Sequence, residues 1–247
     1  MLKYKKNKKN SLTIHVPDCK GTRFVISDIH GCIKTFKALV EKINLTKKDQ
    51  LFLLGDYIDR GKDARAVIDY IFELISNDYQ IIPLIGNHED TLRSNEKIII
   101  TDGEVKYSEN DDKSTLYNAN HEIEKRYIDF ISELPYFIEL ENCFLVHAGF
   151  EFDIEIPFNF SDAMLWIRGW TYDAKKARNK PVIYGHTPKN LEQIKRNIEI
   201  NAKQIPLDNG CVFSDEVGYG NLLCLNLNNY SLTIQPNIDD EISANTN

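Results

Sequence analysis

Gly55-Asp56-Tyr57-Ile58-Asp59-Arg60-Gly61 decides how this chain is read. The apolar run Leu51-Phe52-Leu53-Leu54 leads directly into it. A short apolar run bounded by turn formers predicts a buried strand. The strand therefore delivers two carboxylates and one guanidinium into a glycine-flanked turn. Glycine lets the backbone turn tightly and lets a ligand approach it closely. Asp56 offers carboxylate oxygen to a hard or borderline metal. Arg60 offers a planar fork of donors that matches a phosphate. Taken alone, the heptapeptide also fits an ordinary polar βα loop, because Gly and Asp are common turn formers. Its neighbours separate the two readings.

Upstream, Thr22-Arg23-Phe24-Val25-Ile26 predicts a strand that ends at Ser27-Asp28-Ile29-His30-Gly31. Ile33, Phe36, Leu39, Val40 and Ile43 then fall on one face at helical spacing. Downstream, Ala64, Val67, Ile68, Ile71, Phe72 and Ile75 mark a second amphipathic helix. Ile81-Ile82-Pro83-Leu84-Ile85 predicts a third strand, ending at Gly86-Asn87-His88-Glu89-Asp90. The strand–loop–helix pattern thus recurs at about 30 residues, the size of a βαβ unit. Each polar cluster sits at the carboxyl end of its strand, where ligands bind in open α/β sheets.

Further out, Cys143-Phe144-Leu145-Val146 predicts a strand delivering His147-Ala148-Gly149, and Pro181-Val182-Ile183-Tyr184 one delivering Gly185-His186-Thr187. Between them, Arg168 stands between Trp166 and Trp170. Glu122–Leu134 has helical spacing. Ser11–Val16 reads as an edge strand, and Ile198–Ile200, Cys211–Phe213, Leu222–Leu227 and Leu232–Ile234 read as strands. Residues 91–120 are polar and aperiodic, so they are expected to form a variable insertion or lid outside the core. The expected organisation is one α/β catalytic domain over 22–235, preceded by a basic tail with an edge strand in 1–21 and followed by a polar, frayed tail in 236–247.

The chain has 247 residues, 42% hydrophobic and 27% charged, enough for one domain with a substantial core. Its 37 acidic and 30 basic residues leave a formal charge of −7, which argues against a nucleic-acid partner. The five cysteines are scattered, without a CxxC pair, which fits a reducing, cytoplasmic setting rather than a disulfide framework. No stretch approaches the ~18 apolar residues of a membrane span. Met1–Asn10 has no apolar segment behind it and does not read as a secretory signal.

Four of the six histidines, His30, His88, His147 and His186, stand at predicted strand ends beside Gly or Asp. With Asp28, Asp56, Asn87 and Asp59 they have the donor composition of a two-metal site: carboxylates, an amide oxygen and neutral imidazoles. His15 and His121 lack such a setting and read as structural.

These motifs, Asp28-Ile29-His30-Gly31, Gly55 to Gly61, Gly86-Asn87-His88-Glu89, His147-Ala148-Gly149 and Gly185-His186, resemble the calcineurin-like metallophosphoesterases. The Asp-Arg-Gly ending of the second motif is similar to the serine/threonine phosphatase branch, which also holds bacterial and phage phosphatases and symmetrical diadenosine tetraphosphatases. The resemblance runs from about residue 22 to 227. It departs at Ser27, where many members have Gly, and at Asn209 in Leu207-Asp208-Asn209-Gly210-Cys211, where bacterial members have Thr.

The resemblance implies an α/β fold of two packed mixed β-sheets flanked by helices, a four-layer sandwich, with two divalent metals, manganese foremost and iron or zinc as alternatives. By position, Asp28 and His30 resemble ligands of one metal, Asp56 the bridging carboxylate, and Asn87, His147 and His186 ligands of the other. His88 resembles the general acid, Asp59 its orienting carboxylate, and Arg60 and Arg168 the phosphate clamps. The implied reaction is phosphomonoester hydrolysis by a metal-bridged hydroxide, with a phosphoserine or phosphothreonine protein as the leading substrate. A small phosphoester, and in particular a dinucleoside polyphosphate, is the alternative. A catalytically dead binding scaffold is the third reading.

Overall fold

The computed structural model describes residues 6–7, 10–94, 99–101, 104–106, 115–118 and 122–240. β1 (Lys6–Asn7) and β2 (Asn10–Ile14) open the chain. β3 (Arg23–Ile26), α1 (Ile33–Lys42), β4 (Gln50–Leu53), α2 (Ala64–Ser76), β5 (Gln80–Pro83) and α3 (Asn87–Ser94) realise the repeating units expected from the sequence. β6 (Ile99–Thr101), β7 (Glu104–Lys106) and β8 (Glu122–Ile123) form a small antiparallel sheet. α4 (Lys125–Glu133), β9 (Phe137–Glu139), β10 (Phe144–Val146), α5 (Ala163–Trp166), β11 (Val182–Tyr184), α6 (Leu191–Glu199), β12 (Gln204–Pro206), β13 (Asn221–Asn226) and β14 (Leu232–Pro236) follow.

Two mixed sheets pack face to face. One has the order β14-β13-β3-β4-β5, with β3, β4 and β5 parallel and β13 antiparallel to β3. The other has the order β1-β2-β9-β10-β11-β12, parallel from β10 to β12 and antiparallel between β9 and β10. The period-two alternation of strand side chains assigns each residue to a layer. On β4, Leu51 and Leu53 face a core shared with α1, α2 and α4, whereas Phe52 joins the core between the sheets. On β10, Leu145 faces that inter-sheet core, while Phe144 and Val146 face an outer cluster with Phe150 and Phe152. Strands buried on both faces read as continuous apolar runs, which is why β4 and β10 were visible in the sequence.

Four expectations are corrected. Ile198–Ile200 is not a strand: it ends α6, which Asn190 caps by accepting the Glu192 N–H at 3.0 Å. Leu191, Ile194 and Ile198 lie three and four residues apart, so the local apolar pair belonged to a helical face. Cys211–Phe213 is a turn, closed by Phe213 N–H donating to the Gly210 carbonyl at 2.8 Å. The 91–120 stretch is not wholly outside the core, because Leu116 is fully buried in the helix-side core and Thr115 Oγ1 accepts the first N–H of α2, from Ala64, at 2.7 Å. Asn237–Asp240 also departs from a frayed tail. Asp239 is buried and accepts hydrogen bonds from the N–H groups of Lys34 and Thr35 at 2.9 Å and from Thr35 Oγ1 at 2.6 Å. The first turn of α1 has no cap from its own neighbour Cys32, and a carboxylate some 200 residues away supplies it.

Candidate metal centre

The loops after β3, β4, β5, β10 and β11 converge at the carboxyl ends of their strands. The backbone there is strained: His30, Asp56, Asp59, Arg60 and His186 all have positive φ, between 46° and 67°. Such conformations cost energy for residues with a Cβ and cluster at functional sites. The loops also touch. A Cβ on Gly61 would lie 1.8 Å from the His30 carbonyl oxygen, and one on Gly185 would lie 2.0 Å from Asp28 Oδ2. Only glycine lets these turns interlock.

Backbone carbonyls orient the imidazoles. His30 Nδ1 bonds the Ile58 carbonyl at 2.9 Å, and His147 Nδ1 bonds the Leu54 carbonyl at 2.9 Å. An acceptor at Nδ1 places the proton there and leaves the Nε2 lone pair for another partner. In both residues Nε2 points to Asp56, at 3.5 Å from Oδ2 for His30 and 3.5 Å from Oδ1 for His147. Asn87 Oδ1 lies 2.9 Å from both His147 Nε2 and His186 Nδ1. His88 Nδ1 bonds Asp59 Oδ2 at 2.7 Å, with its Nε2 3.9 Å from Asp56 Oδ2.

Two clusters result, His30/Asp56/His88 and Asp56/His147/His186, each with its candidate donor atoms within 4.8 Å of one another. Among the described residues, Asp56 is common to both. His88, expected as an acid rather than a ligand, falls within the first cluster. Asp28 is in neither. Its carboxylate accepts the His186 N–H at 3.1 Å and a hydrogen bond from the Ser27 hydroxyl. Arg60 and Arg168 are exposed at the rim; the charge of Arg60 reaches His30 and that of Arg168 reaches His186. His15 is exposed and apart, and His121 lies outside the described residues.

The electrostatics suit cations. Burial pushes His30 below its ordinary value, and burial followed by the His147 charge brings His186 down to about 4, so both imidazoles are neutral and can offer a lone pair to a cation at neutral pH. Burial alone would raise Asp56, but His147, His30 and His88 around it outweigh that and hold it at about 2. His186 Nε2 is buried without a hydrogen-bond partner. A buried lone pair left unpaired is costly, and a divalent cation is the partner that this mixed oxygen and nitrogen set would satisfy. The residues present therefore fit the divalent ions expected from the sequence.

Two further groups were quoted in motifs but given no role. Glu89 is fully buried, and its carboxylate accepts N–H bonds from Asp56 and Tyr57 at 2.8 Å, Gly86 at 3.0 Å and Ile58 at 3.3 Å. It ties the turn after β4 to the turn after β5. Burial and the nearby Asp56 charge push it up to about 7 against the Asp56 and Tyr57 N–H donors and the His88 charge. Asp208 is buried near Asp28, and burial together with that charge raises it well above the usual carboxylate range. A charged residue directly after the His88 motif and an aspartate before Asn209-Gly210 were the only signals of either.

A model of the calcineurin-like phosphoesterase family matches residues 22–217. The chain belongs to that family. Among its relatives, a symmetrical bis(5'-nucleosyl)-tetraphosphatase of Buchnera aphidicola subsp. Acyrthosiphon pisum (strain APS) is 41% identical over 70 residues, 28% of this chain and 24% of that protein. One from Nitrosospira multiformis is 28% identical over 127 residues, 51% of this chain and 42% of that protein. The matched region thus spans between 24% and 42% of the length of these two relatives. Of the solved structures, one described as a "putative diadenosine tetraphosphatase" has a TM-score of 0.62 at 19% identity, covering 91% of this chain and 96% of its own. A serine/threonine phosphatase from Saccharomyces cerevisiae with similarity to human phosphatase PP5 has a TM-score of 0.53 at 15% identity, covering 87% and 78%. Both likenesses are of fold. The phosphoesterase fold and its metal-type donor set agree with the sequence reading. Among the described residues, no helix is long and apolar enough to cross a membrane.

Proposed function

We propose that this chain is a divalent-metal-dependent phosphohydrolase that cleaves dinucleoside polyphosphates. The single observation that carries the hydrolytic part is Asp56: one carboxylate shared by two histidine clusters at the carboxyl ends of β3, β4, β5, β10 and β11. The nucleotide part is supported by relatives named symmetrical bis(5'-nucleosyl)-tetraphosphatase. It replaces the phosphoprotein as leading substrate, for which the structural likeness to a yeast phosphatase, at 15% identity, supports the fold alone.

In this reading Asp28, His30, Asp56, Asn87, His147 and His186 hold two cations. The cations would supply Lewis acidity, acidifying water and neutralising phosphate charge. The protein's own groups do the rest. Arg60 and Arg168 reach phosphoryl oxygens from the rim and stabilise the charge that spreads there in the transition state. His88 gives a proton to the leaving oxygen from Nε2, while Asp59 holds Nδ1 at 2.7 Å and fixes the ring. Retention of every one of these groups speaks against a dead scaffold.

The test is a comparison of kcat/KM on diadenosine tetraphosphate and on a phosphoserine peptide, with manganese added. Preference for the dinucleotide by at least tenfold is expected. Preference for the peptide would overturn the substrate assignment and leave the metal centre standing.

A further inference from the structure

In the segment between His147 and His186, α5 brings an exposed aromatic ring to the site. Trp166 is 45% exposed. Phosphoryl transfer needs cations and donors, not exposed indoles. Trp166 ends α5, whose position is set when Ala148, next to His147, donates its N–H to the Met164 carbonyl at 2.9 Å. The indole therefore moves with the metal centre. Its ring stands edge-on to His186, at 6.3 Å between centroids and 81° between planes. Arg168, the rim cation whose charge reaches His186, follows two residues later.

The exposed indole thus lies beside an anion site. A ligand that joins a phosphate to a flat aromatic ring engages both at once. In a T-shaped contact His186 covers at most one face of the indole and leaves the other for stacking, and base–aromatic stacking tolerates any base because every base has a π-face. We infer that Trp166 is the stacking platform for a nucleobase of the substrate, with the phosphates running past His186 toward Arg168. The inference rests on the nucleotide reading above and assigns its base subsite.

The experiment uses the full chain and inhibition of p-nitrophenyl phosphate hydrolysis by ADP and by inorganic phosphate. Trp166→Ala is expected to raise the ADP Ki about tenfold more than the phosphate Ki, the size that one lost stacking contact predicts. Trp166→Phe should recover most of that difference, because it restores a ring. ADP should also quench tryptophan fluorescence in the wild type and much less in Trp166→Phe, in which Trp170 is the remaining tryptophan. Equal changes in the two Ki values would overturn the inference. So would an unmoved ADP Ki with a selective loss on a phosphopeptide, which would make Trp166 part of a peptide surface. If the wild type ignores diadenosine tetraphosphate yet ADP binding still depends on Trp166, the proposed reaction falls and the base subsite stands.

Discussion

Asp239→Ala is the perturbation that most directly tests how the site's scaffold is held. The carboxylate is buried and accepts three hydrogen bonds, two from backbone N–H groups in the first turn of α1 and one from the Thr35 hydroxyl. The next residue, Asp240, makes an exposed ion pair with Lys62 at 3.4 Å. Replacing an N-cap by Ala costs about 0.5–2 kcal/mol, and hydrogen bonds to a charged group are worth about 1.5–3 kcal/mol. These contributions overlap, because water can enter the vacated space and serve part of the helix end. About 3 kcal/mol is the expected loss. At about 2–4 °C per kcal/mol for a domain of this size, Tm should fall by about 6–12 °C. Asp239→Asn keeps one acceptor oxygen and should lose about half as much. Asp240→Ala removes an exposed pair and should cost under about 1 kcal/mol. Scanning calorimetry of the three variants decides. If Asp239→Ala melts within about 2 °C of the wild type, the docked C-terminal segment does not stabilise α1 and the reasoning fails.

The remaining predictions concern chemistry. Asp56→Asn removes the carboxylate shared by both clusters and should lower bound manganese from two ions per chain to one or none, measured by elemental analysis, together with loss of turnover; two ions with near-normal turnover would refute the bridging role. His88→Asn should cost about 10²–10⁴-fold on a phosphoserine peptide, whose alkoxide leaving group is strongly basic, and clearly less on p-nitrophenyl phosphate, whose leaving group needs little help; equal losses would make His88 a ligand or positioning group, as its place in the first cluster allows. Burial lowers the His88 pKa, but the Asp59 hydrogen bond and the Asp56 charge outweigh it and raise the ring above its ordinary value. The acid form is therefore present below that raised value and is lost as pH climbs through it, so Asp59→Asn should move the alkaline limb of the kcat–pH profile to lower pH. An unmoved limb would assign the titration to another group.

The parts of the site that were legible in the sequence are those whose cause is local. Asp28, Asp56, Asn87, His147 and His186 each follow an apolar strand within a few residues and have a glycine within three positions, so strand, turn and donor could be read from one short window. What the sequence hid has a tertiary cause. Asp239 looked like part of a solvated tail because its partners, Lys34 and Thr35, lie more than 200 residues away along the chain. Leu116 stood in a polar stretch, and only packing against the helix-side core reveals it. Ile198 and Ile200 resembled a strand because β-branched residues favour strands, yet the Asn190 cap and the spacing from Leu191 impose a helix. Glu89 was visible as a charge, but its four N–H partners come from two loops that meet only in the fold.

The same division separates reaction from substrate. The donors that hold cations and carry protons come from strand-end turns, and they serve an ester and an anhydride alike. In either case those turns meet phosphoryl oxygens, and they hold no group that recognises a peptide backbone or a nucleobase. Selection has to come from what flanks the phosphoryl group, and in this fold that is the segment between β10 and β11, where Trp166 is exposed beside His186. A binding face there adds affinity for the ligand that fills it without touching the reacting atoms, so its loss should appear in KM and Ki before kcat. The specificity of this chain is therefore expected to lie in α5 and the loops around it, and the chemistry in Asp56 and the histidines that surround it.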